Sequence, residues 1–79
     1  MSEAIAAQIK TAIESAIPDA QAQVNLGTPG HFALVVASNA FEGKSLLAKQ
    51  RMVLSAIKDL MGGDDAPVHA IDSIETKPL

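Results

Sequence analysis

The spacing of apolar and polar residues along the 79-residue chain predicts a helix at its beginning, over residues 3–16. Isoleucine recurs at every fourth position, at Ile5, Ile9 and Ile13, which is the spacing of one face of an amphipathic helix. Pro18 ends the element, because proline disfavours helical geometry in the residue before it. The single apolar stripe of this helix requires a partner surface elsewhere in the chain.

Two strands are predicted next, at residues 22–27 and 31–37. The linker at 27–30 contains two glycines and one proline, so a hairpin is the expected connection. The second strand is apolar on both faces, which favours a central and covered position in a sheet. One face of this strand carries its larger side chains: Phe32, Leu34 and Val36.

A second, longer helix is predicted over residues 45–61, beginning at Ser45 and ending at a pair of glycines. A short capped turn precedes it, with Asn39 and Glu42 at the spacing of a capping box. The apolar residues of the helix are expected to form its core face: Leu46, Val53, Leu54, Ile57, Leu60 and Met61.

A final strand is predicted over residues 68–75, after a polar loop at 64–67. In the order helix, two strands, helix, strand, both helices can cover one face of a three-stranded sheet. A hairpin followed by a helical crossover favours a mixed sheet. We therefore expect an α+β fold in which residues 1–79 form one domain.

Composition excludes several classes of protein. The chain contains no cysteine, so disulfides, thiolate metal sites and cysteine nucleophiles are excluded. The beginning of the chain lacks the basic and apolar segments of a signal peptide. No apolar stretch approaches the roughly 18 residues of a membrane span. These features predict a cytoplasmic protein in a reducing compartment.

Charged residues are distributed unevenly along the chain. The net charge of −3 gives no overall attraction to nucleic acid. The only aromatic residues are Phe32 and Phe41, which argues against a platform for stacking bases. Four of the six basic residues nevertheless lie in one segment without an acidic residue between them: Lys44, Lys49, Arg51 and Lys58. This cluster is as typical of a solvated helix surface as of a binding surface.

No pattern in the sequence predicts an enzyme. Neither histidine has a sequence neighbour that suggests a catalytic triad. Residues 43–45 imitate the end of a phosphate-binding loop but lack its upstream glycine. Residues 27–30 match the Gly-x-x-Gly loop with which KH domains clamp nucleic acid, yet that loop joins two helices, whereas this segment joins two predicted strands. We expect it to be a hairpin turn.

The two histidines are the remaining candidates for chemistry. His31 lies at the mouth of the predicted hairpin, and His69 lies near the start of the last strand. Neutral imidazole is a good ligand for iron or zinc. Two histidines alone do not complete a metal site, and an isolated histidine at a strand end is more often a surface residue than a ligand.

The sequence from residue 31 to residue 78 contains a spaced set of short motifs: His31-Phe32, Phe41-Glu42-Gly43-Lys44-Ser45, Lys49-Gln50-Arg51 with Val53, Val68-His69-Ala70, and Pro78. In this pattern the chain resembles the BolA family, in the subgroup with histidine in the hairpin loop. The resemblance implies a KH-like fold of type II, with α-β-β-α-β order, a three-stranded mixed sheet and helices packed on one face.

The resemblance also implies a partner and a cofactor. BolA-like proteins pair with monothiol glutaredoxins that carry a Cys-Gly-Phe-Ser site, and a [2Fe–2S] cluster bridges the two proteins. Glutaredoxin and glutathione supply thiolates, and the BolA-like chain supplies histidine. His69 matches the invariant position of the family, and His31 matches a loop position that is histidine in one subgroup and cysteine in another.

Two functions follow from the resemblance. The first is a role as glutaredoxin partner in iron–sulfur cluster trafficking or iron regulation, without catalysis. The second is transcriptional regulation in stress or cell morphology by DNA binding through the helix region. The surface for partner or nucleic acid would then comprise Lys44, Ser45, Lys49, Arg51 and Lys58. Alone, the chain is expected to be a monomer or a weak homodimer.

Three departures from the family pattern are visible. Lys49-Gln50-Arg51 stands where many relatives have Arg-His-Arg, so basic residues remain but one histidine is lost. The chain also lacks the longer tail after Pro78 that is common in relatives. Residues 72–74 interrupt the alternation of apolar and polar positions in the last strand, which predicts a bulge or an early strand end.

Overall fold

A computed structural model describes residues 2–62 and 66–79. Its elements follow the predicted order: α1 (Ser2–Ala16), β1 (Gln21–Leu26), β2 (His31–Ala37), α2 (Leu46–Ala56), α3 (Lys58–Met61) and β3 (Ala70–Lys77), with a 3₁₀ turn at Asn39–Phe41. The predicted helix over 45–61 is thus two helices that meet at Ile57. The predicted polar loop at 64–67 lies partly outside the described residues. Gly63, the second of the two glycines predicted to end the helix, lies outside them.

The three strands form one sheet in the order β1-β2-β3. β1 is antiparallel to β2, and β2 is parallel to β3. The predictions of a hairpin, a mixed sheet and a central second strand are therefore confirmed. Among the described helices, none is long and apolar enough to cross a membrane.

The core lies between the helices and one face of the sheet. On β2 the large side chains alternate inward, as predicted, and α1 contributes its isoleucine stripe. The buried apolar residues of the core cluster are Ile9, Ile13, Ile17, Ala22, Phe32, Leu34, Val36, Phe41, Val53, Ile57 and Val68. Because the helices and the strands bury their apolar residues in this one cluster, the fold has a single core.

Two residues predicted for the core face of the second helix are exposed instead. Leu46 is 61% exposed and Leu54 is 38% exposed. Leu54 follows the buried Val53 by one residue and so lies about 100° round the helix from it. Leu46 has the right spacing but is the first residue of α2, where its exposure shows that the packing surface has ended. The prediction was wrong for both, and Met52 and Ala56 flank the core in their place.

The turn before α2 is capped one residue earlier than predicted. The hydroxyl of Ser38 accepts the Ala40 N–H at 2.9 Å and donates to the Pro18 carbonyl at 2.6 Å. Ser38 is fully buried, so it joins this turn to the segment after α1. The prediction of an Asn39–Glu42 capping box was therefore wrong, since Ser38 has the cap geometry. At α2 the predicted start is confirmed, because the Ser45 hydroxyl accepts the Ala48 N–H at 3.1 Å.

The last strand contains the predicted bulge. Phe32 on β2 pairs with Ile71, but the next residue pairs with Ser73, so Asp72 is an extra residue in β3. Bulges of this kind re-aim a side chain and kink the strand. Ile71 and Ile74 both pack against the core although they are three residues apart, and the bulge is what allows this spacing. The strand continues to Lys77, so it does not end early.

Candidate metal-ligand site at the hairpin and the start of β3

The hairpin between β1 and β2 fixes the position of His31. The His31 N–H donates to the Thr28 carbonyl at 2.8 Å, and the Gly27 N–H donates to the His31 carbonyl at 3.0 Å. Gly30 closes the turn in the left-handed region, at φ +82°. The Gly-x-x-Gly segment is thus a hairpin turn, as predicted. His31 is the first residue of β2, and 40% of its side chain is exposed.

The segment before β3 fixes the position of His69. Val68 is buried, and its N–H donates to the Leu60 carbonyl at the end of α3, at 3.1 Å. The N–H groups of His69 and Ala70 both donate to the Gly30 carbonyl, at 2.8 and 3.0 Å. The backbone of His69 is therefore tied to both the core and the hairpin, while its side chain is exposed to solvent.

The His69 ring lies directly against the hairpin. A Cβ atom added to Gly30 would stand 2.8 Å from Cγ and 3.1 Å from Nδ1 of His69. That separation is too short for any side chain, so the absence of one at Gly30 is what admits the imidazole. Gly30 immediately precedes His31, and His31 is the register partner of Ala70. The structure therefore brings the two predicted histidines to one corner of the sheet.

A carboxylate that the sequence analysis did not assign to the site belongs to the same corner. The Asp72 carboxylate approaches His31, with Oδ1 3.0 Å from Nδ1. The two side chains are 55% and 40% exposed, so their pairing contributes little to stability. The interrupted alternation at residues 72–74 predicted a bulge, but only the register of β3 shows that the bulge turns Asp72 toward His31.

The donor set at this corner is incomplete for a metal ion. Within residues 2–62 and 66–79, no three histidine, aspartate or glutamate side chains lie close enough together to hold one. Two imidazoles can serve as two nitrogen ligands, as they do on one iron of Rieske-type [2Fe–2S] clusters. A cluster at this corner would then need its remaining ligands from another molecule. This donor set fits a shared cluster and does not fit a closed metal site.

The basic residues predicted for a binding surface lie around α2 and α3. Lys44, Arg51 and Lys58 are exposed, Lys49 is half-buried, and Ser45 caps α2. Three exposed leucines share the same helix: Leu46, Leu47 and Leu54. The surface therefore mixes cationic and apolar groups, and α2 also contacts β3.

Comparison with known proteins agrees with this fold. A family model described as BolA-like protein matches residues 3–78. A BolA homologue from Coxiella burnetii is 31% identical, with a TM-score of 0.70 over 91% of this chain and 87% of that one. BolA1 from Mus musculus is 30% identical, with a TM-score of 0.70 over 94% of this chain and 64% of that one. Yeast Fra2 is 26% identical, with a TM-score of 0.61 over 96% of this chain and 76% of that one.

Among curated proteins, no sequence matches this chain. The family model nonetheless spans nearly the whole of it, and the neighbouring structures reproduce its α+β fold with a three-stranded mixed sheet. The chain belongs to the BolA family.

Proposed function

We propose that this chain is a partner of a monothiol glutaredoxin with a Cys-Gly-Phe-Ser site, and that the two proteins share a bridging [2Fe–2S] cluster. The observation that carries the proposal is the corner of the sheet where the Gly30 carbonyl ties the His69 backbone to the hairpin, one residue before His31. A cysteine-free chain can join a cluster only through such nitrogen or oxygen donors. The role is that of an adaptor in cluster trafficking or iron regulation, without catalysis by this chain.

Each partner then supplies a different kind of ligand. His69 and His31 provide nitrogen, and the glutaredoxin and glutathione provide the thiolates that this cysteine-free chain does not have. The cluster itself supplies one-electron chemistry, and histidine ligands raise its reduction potential relative to thiolates alone. Because iron binds only the neutral imidazole, the shared cluster is expected to be released as the medium becomes acidic.

The anchoring of His69 supports its assignment as the firmer ligand. Its backbone is held by the Gly30 carbonyl and by the buried Val68 beside it. Its side chain nevertheless remains open to an approaching molecule. A ligand fixed in this way loses little conformational freedom on binding, which favours affinity.

A reconstitution experiment tests this proposal. The chain and a Cys-Gly-Phe-Ser glutaredoxin are mixed with iron, sulfide and glutathione, then analysed by size exclusion and visible spectroscopy. We expect a heterodimer whose spectrum differs from that of the glutaredoxin alone. His69→Ala should diminish the difference, whereas Glu75→Ala, at an exposed position on β3, should retain it in full. An unchanged complex and spectrum with His69→Ala would refute the ligand assignment.

DNA binding is the alternative function, and the exposed cations around α2 favour it. The leucines interspersed among them and the net charge of −3 favour a protein partner instead. Phosphate contacts would make binding to duplex DNA weaken steeply with salt. A titration at low and high salt separates the two, because the absence of binding at low salt removes the alternative.

A further inference from the structure

The bulge in β3 places a carboxylate where it can control one nitrogen of His31. Asp72 is the residue without a partner in the register between β2 and β3. Its Oδ1 lies 3.0 Å from His31 Nδ1, and its Oδ2 lies 3.6 Å from the point where a Cβ would stand on Gly27. The carboxylate therefore occupies the base of the hairpin, beside the first residue of β2.

When the His31 ring is neutral, the chemistry of this contact permits one arrangement of the proton. An ionised carboxylate can only accept hydrogen bonds, whereas neutral imidazole has one N–H donor and one bare nitrogen. The contact at Nδ1 therefore requires the N–H to be on Nδ1, with the lone pair on Nε2. Neutral histidine in water favours the opposite tautomer, with the N–H on Nε2. The carboxylate must therefore reverse this preference at His31.

We propose that Asp72 is a positioning residue that holds His31 in the Nδ1–H tautomer and thereby makes Nε2 the nitrogen available to iron. The tautomer part of this inference stands on the contact alone, and the iron part rests on the function proposed above. Metal-binding histidines commonly donate their second N–H to a carboxylate, which fixes the ring and raises its basicity. Here the bulge supplies that carboxylate.

His69 provides an internal comparison within the same chain. Its ring lies against Gly30, and the described residues give it no carboxylate partner comparable to Asp72. The two histidines are thus expected to differ in tautomer control, although they share one corner of the sheet. A change at Asp72 should affect His31 and leave His69 as it was.

The tautomer is measured on the isolated chain, without any cluster. In a two-bond ¹⁵N–¹H correlation spectrum at about pH 8.5, where ordinary histidine is neutral, each tautomer gives a distinct pattern. We expect the Nδ1–H pattern for His31 in the natural chain and a shift to the Nε2–H pattern in Asp72→Ala. Ser73→Ala, at the paired residue that follows the bulge, is the matched control and should change neither histidine.

A His31 pattern of the Nε2–H type in the natural chain, or one unaffected by Asp72→Ala, would overturn the inference. Asp72 is more than half exposed, so the variant is expected to fold, and its backbone amide spectrum checks this. These outcomes do not depend on glutaredoxin, so they stand apart from the success or failure of the proposed function.

The second measurement uses the reconstituted complex with glutaredoxin. Loss of a carboxylate behind a ligand typically weakens metal binding about 10–100-fold, so Asp72→Ala should release the cluster at least about tenfold faster than Ser73→Ala. Equal rates of release, together with a changed tautomer, would overturn the iron part of the inference and leave the tautomer part standing. If the natural chain takes up no cluster with glutaredoxin, the proposed function fails and the iron part fails with it.

Discussion

Gly30 combines two requirements that a hairpin motif does not reveal by itself. Its φ of +82° lies in the region that disfavours a side chain, and its α-carbon faces the His69 ring. Gly43 has a similar φ of +76°, but among the described residues no atom beyond its chain neighbours comes within 4 Å of an added Cβ. The two glycines therefore separate the effect of backbone geometry from the effect of the histidine contact.

Replacing Gly30 or Gly43 by alanine tests this distinction. Gly43→Ala should lower the free energy of unfolding by about 1–2 kcal/mol, the usual penalty of a left-handed conformation. Gly30→Ala should lower it further, because the added methyl group also collides with His69. Urea unfolding measures both, and equal losses would contradict the close contact. Gly30→Ala should also impair cluster uptake, whereas Gly43→Ala should not.

The residues of the candidate site were predictable to different degrees. His31 and His69 could be named from the family motifs, and the turn that carries His31 from its glycines and proline. Asp72 was missed because its contact with His31 spans 41 residues of sequence and depends on the register of β3. A broken alternation indicates that a bulge exists, but it does not show which distant side chain the bulge will face.

At the scale of elements, α1 holds the outer edge of β1. The Ala22 N–H donates to Glu14 Oε2 at 3.0 Å, and Lys10 Nζ donates to the Ala22 carbonyl at 3.1 Å. Lys10 Nζ also lies 3.4 Å from Glu14 Oε2, so the two side chains form an ion pair. Side chains of the helix thus satisfy backbone groups that an edge strand would otherwise leave open to another strand.

This contact makes stability depend on pH. Accepting the Ala22 N–H lowers the pKa of the Glu14 carboxyl from its ordinary value of 4.5, and Lys10 adds to the effect. Because the folded pKa is lowered, the stabilisation is present above the ordinary pKa and is lost as the pH falls through the folded value. Glu14→Gln should therefore make the melting temperature fall less steeply between about pH 5 and pH 3.

Melting curves of Glu14→Gln and Glu42→Gln over that pH range check the prediction. Glu42 is an exposed glutamate outside the contact with β1, so its variant should keep the slope of the natural chain. The same slope for Glu14→Gln would show that the Glu14 contact does not contribute.

The buried and exposed apolar residues of the segment that contains α2 and α3 give another prediction. Ile57 is fully buried, whereas Leu46 is 61% exposed, although periodicity assigned both to the core. Ile57→Ala should cost about 2–5 kcal/mol in the free energy of unfolding, the usual range for a buried isoleucine. Leu46→Ala should stay within about 0.5 kcal/mol, as surface substitutions do. Chemical unfolding measures both, and a comparable loss for Leu46→Ala would contradict the exposure of that leucine.

For the whole molecule, the element order, the mixed sheet and the central β2 were predictable because they follow from periodicity and turn chemistry. The break at Ile57 and the exposure of Leu46 were not, since they depend on where the packing surface of the sheet and α1 ends. A periodic pattern marks the face of a helix, but the length of its buried part is set by the other elements.

In the proposed function, the metal site of this chain is completed only in a complex with glutaredoxin. There the two histidines would supply part of a ligand set, and a cysteine-free chain has no thiolate to complete it. Electron–nuclear double resonance on the reduced complex, with this chain ¹⁵N-labelled at histidine and the glutaredoxin unlabelled, detects histidine nitrogen bound to the cluster. We predict ¹⁵N hyperfine coupling to the cluster that is reduced in His69→Ala. A cluster bound by the complex without any ¹⁵N coupling would contradict it.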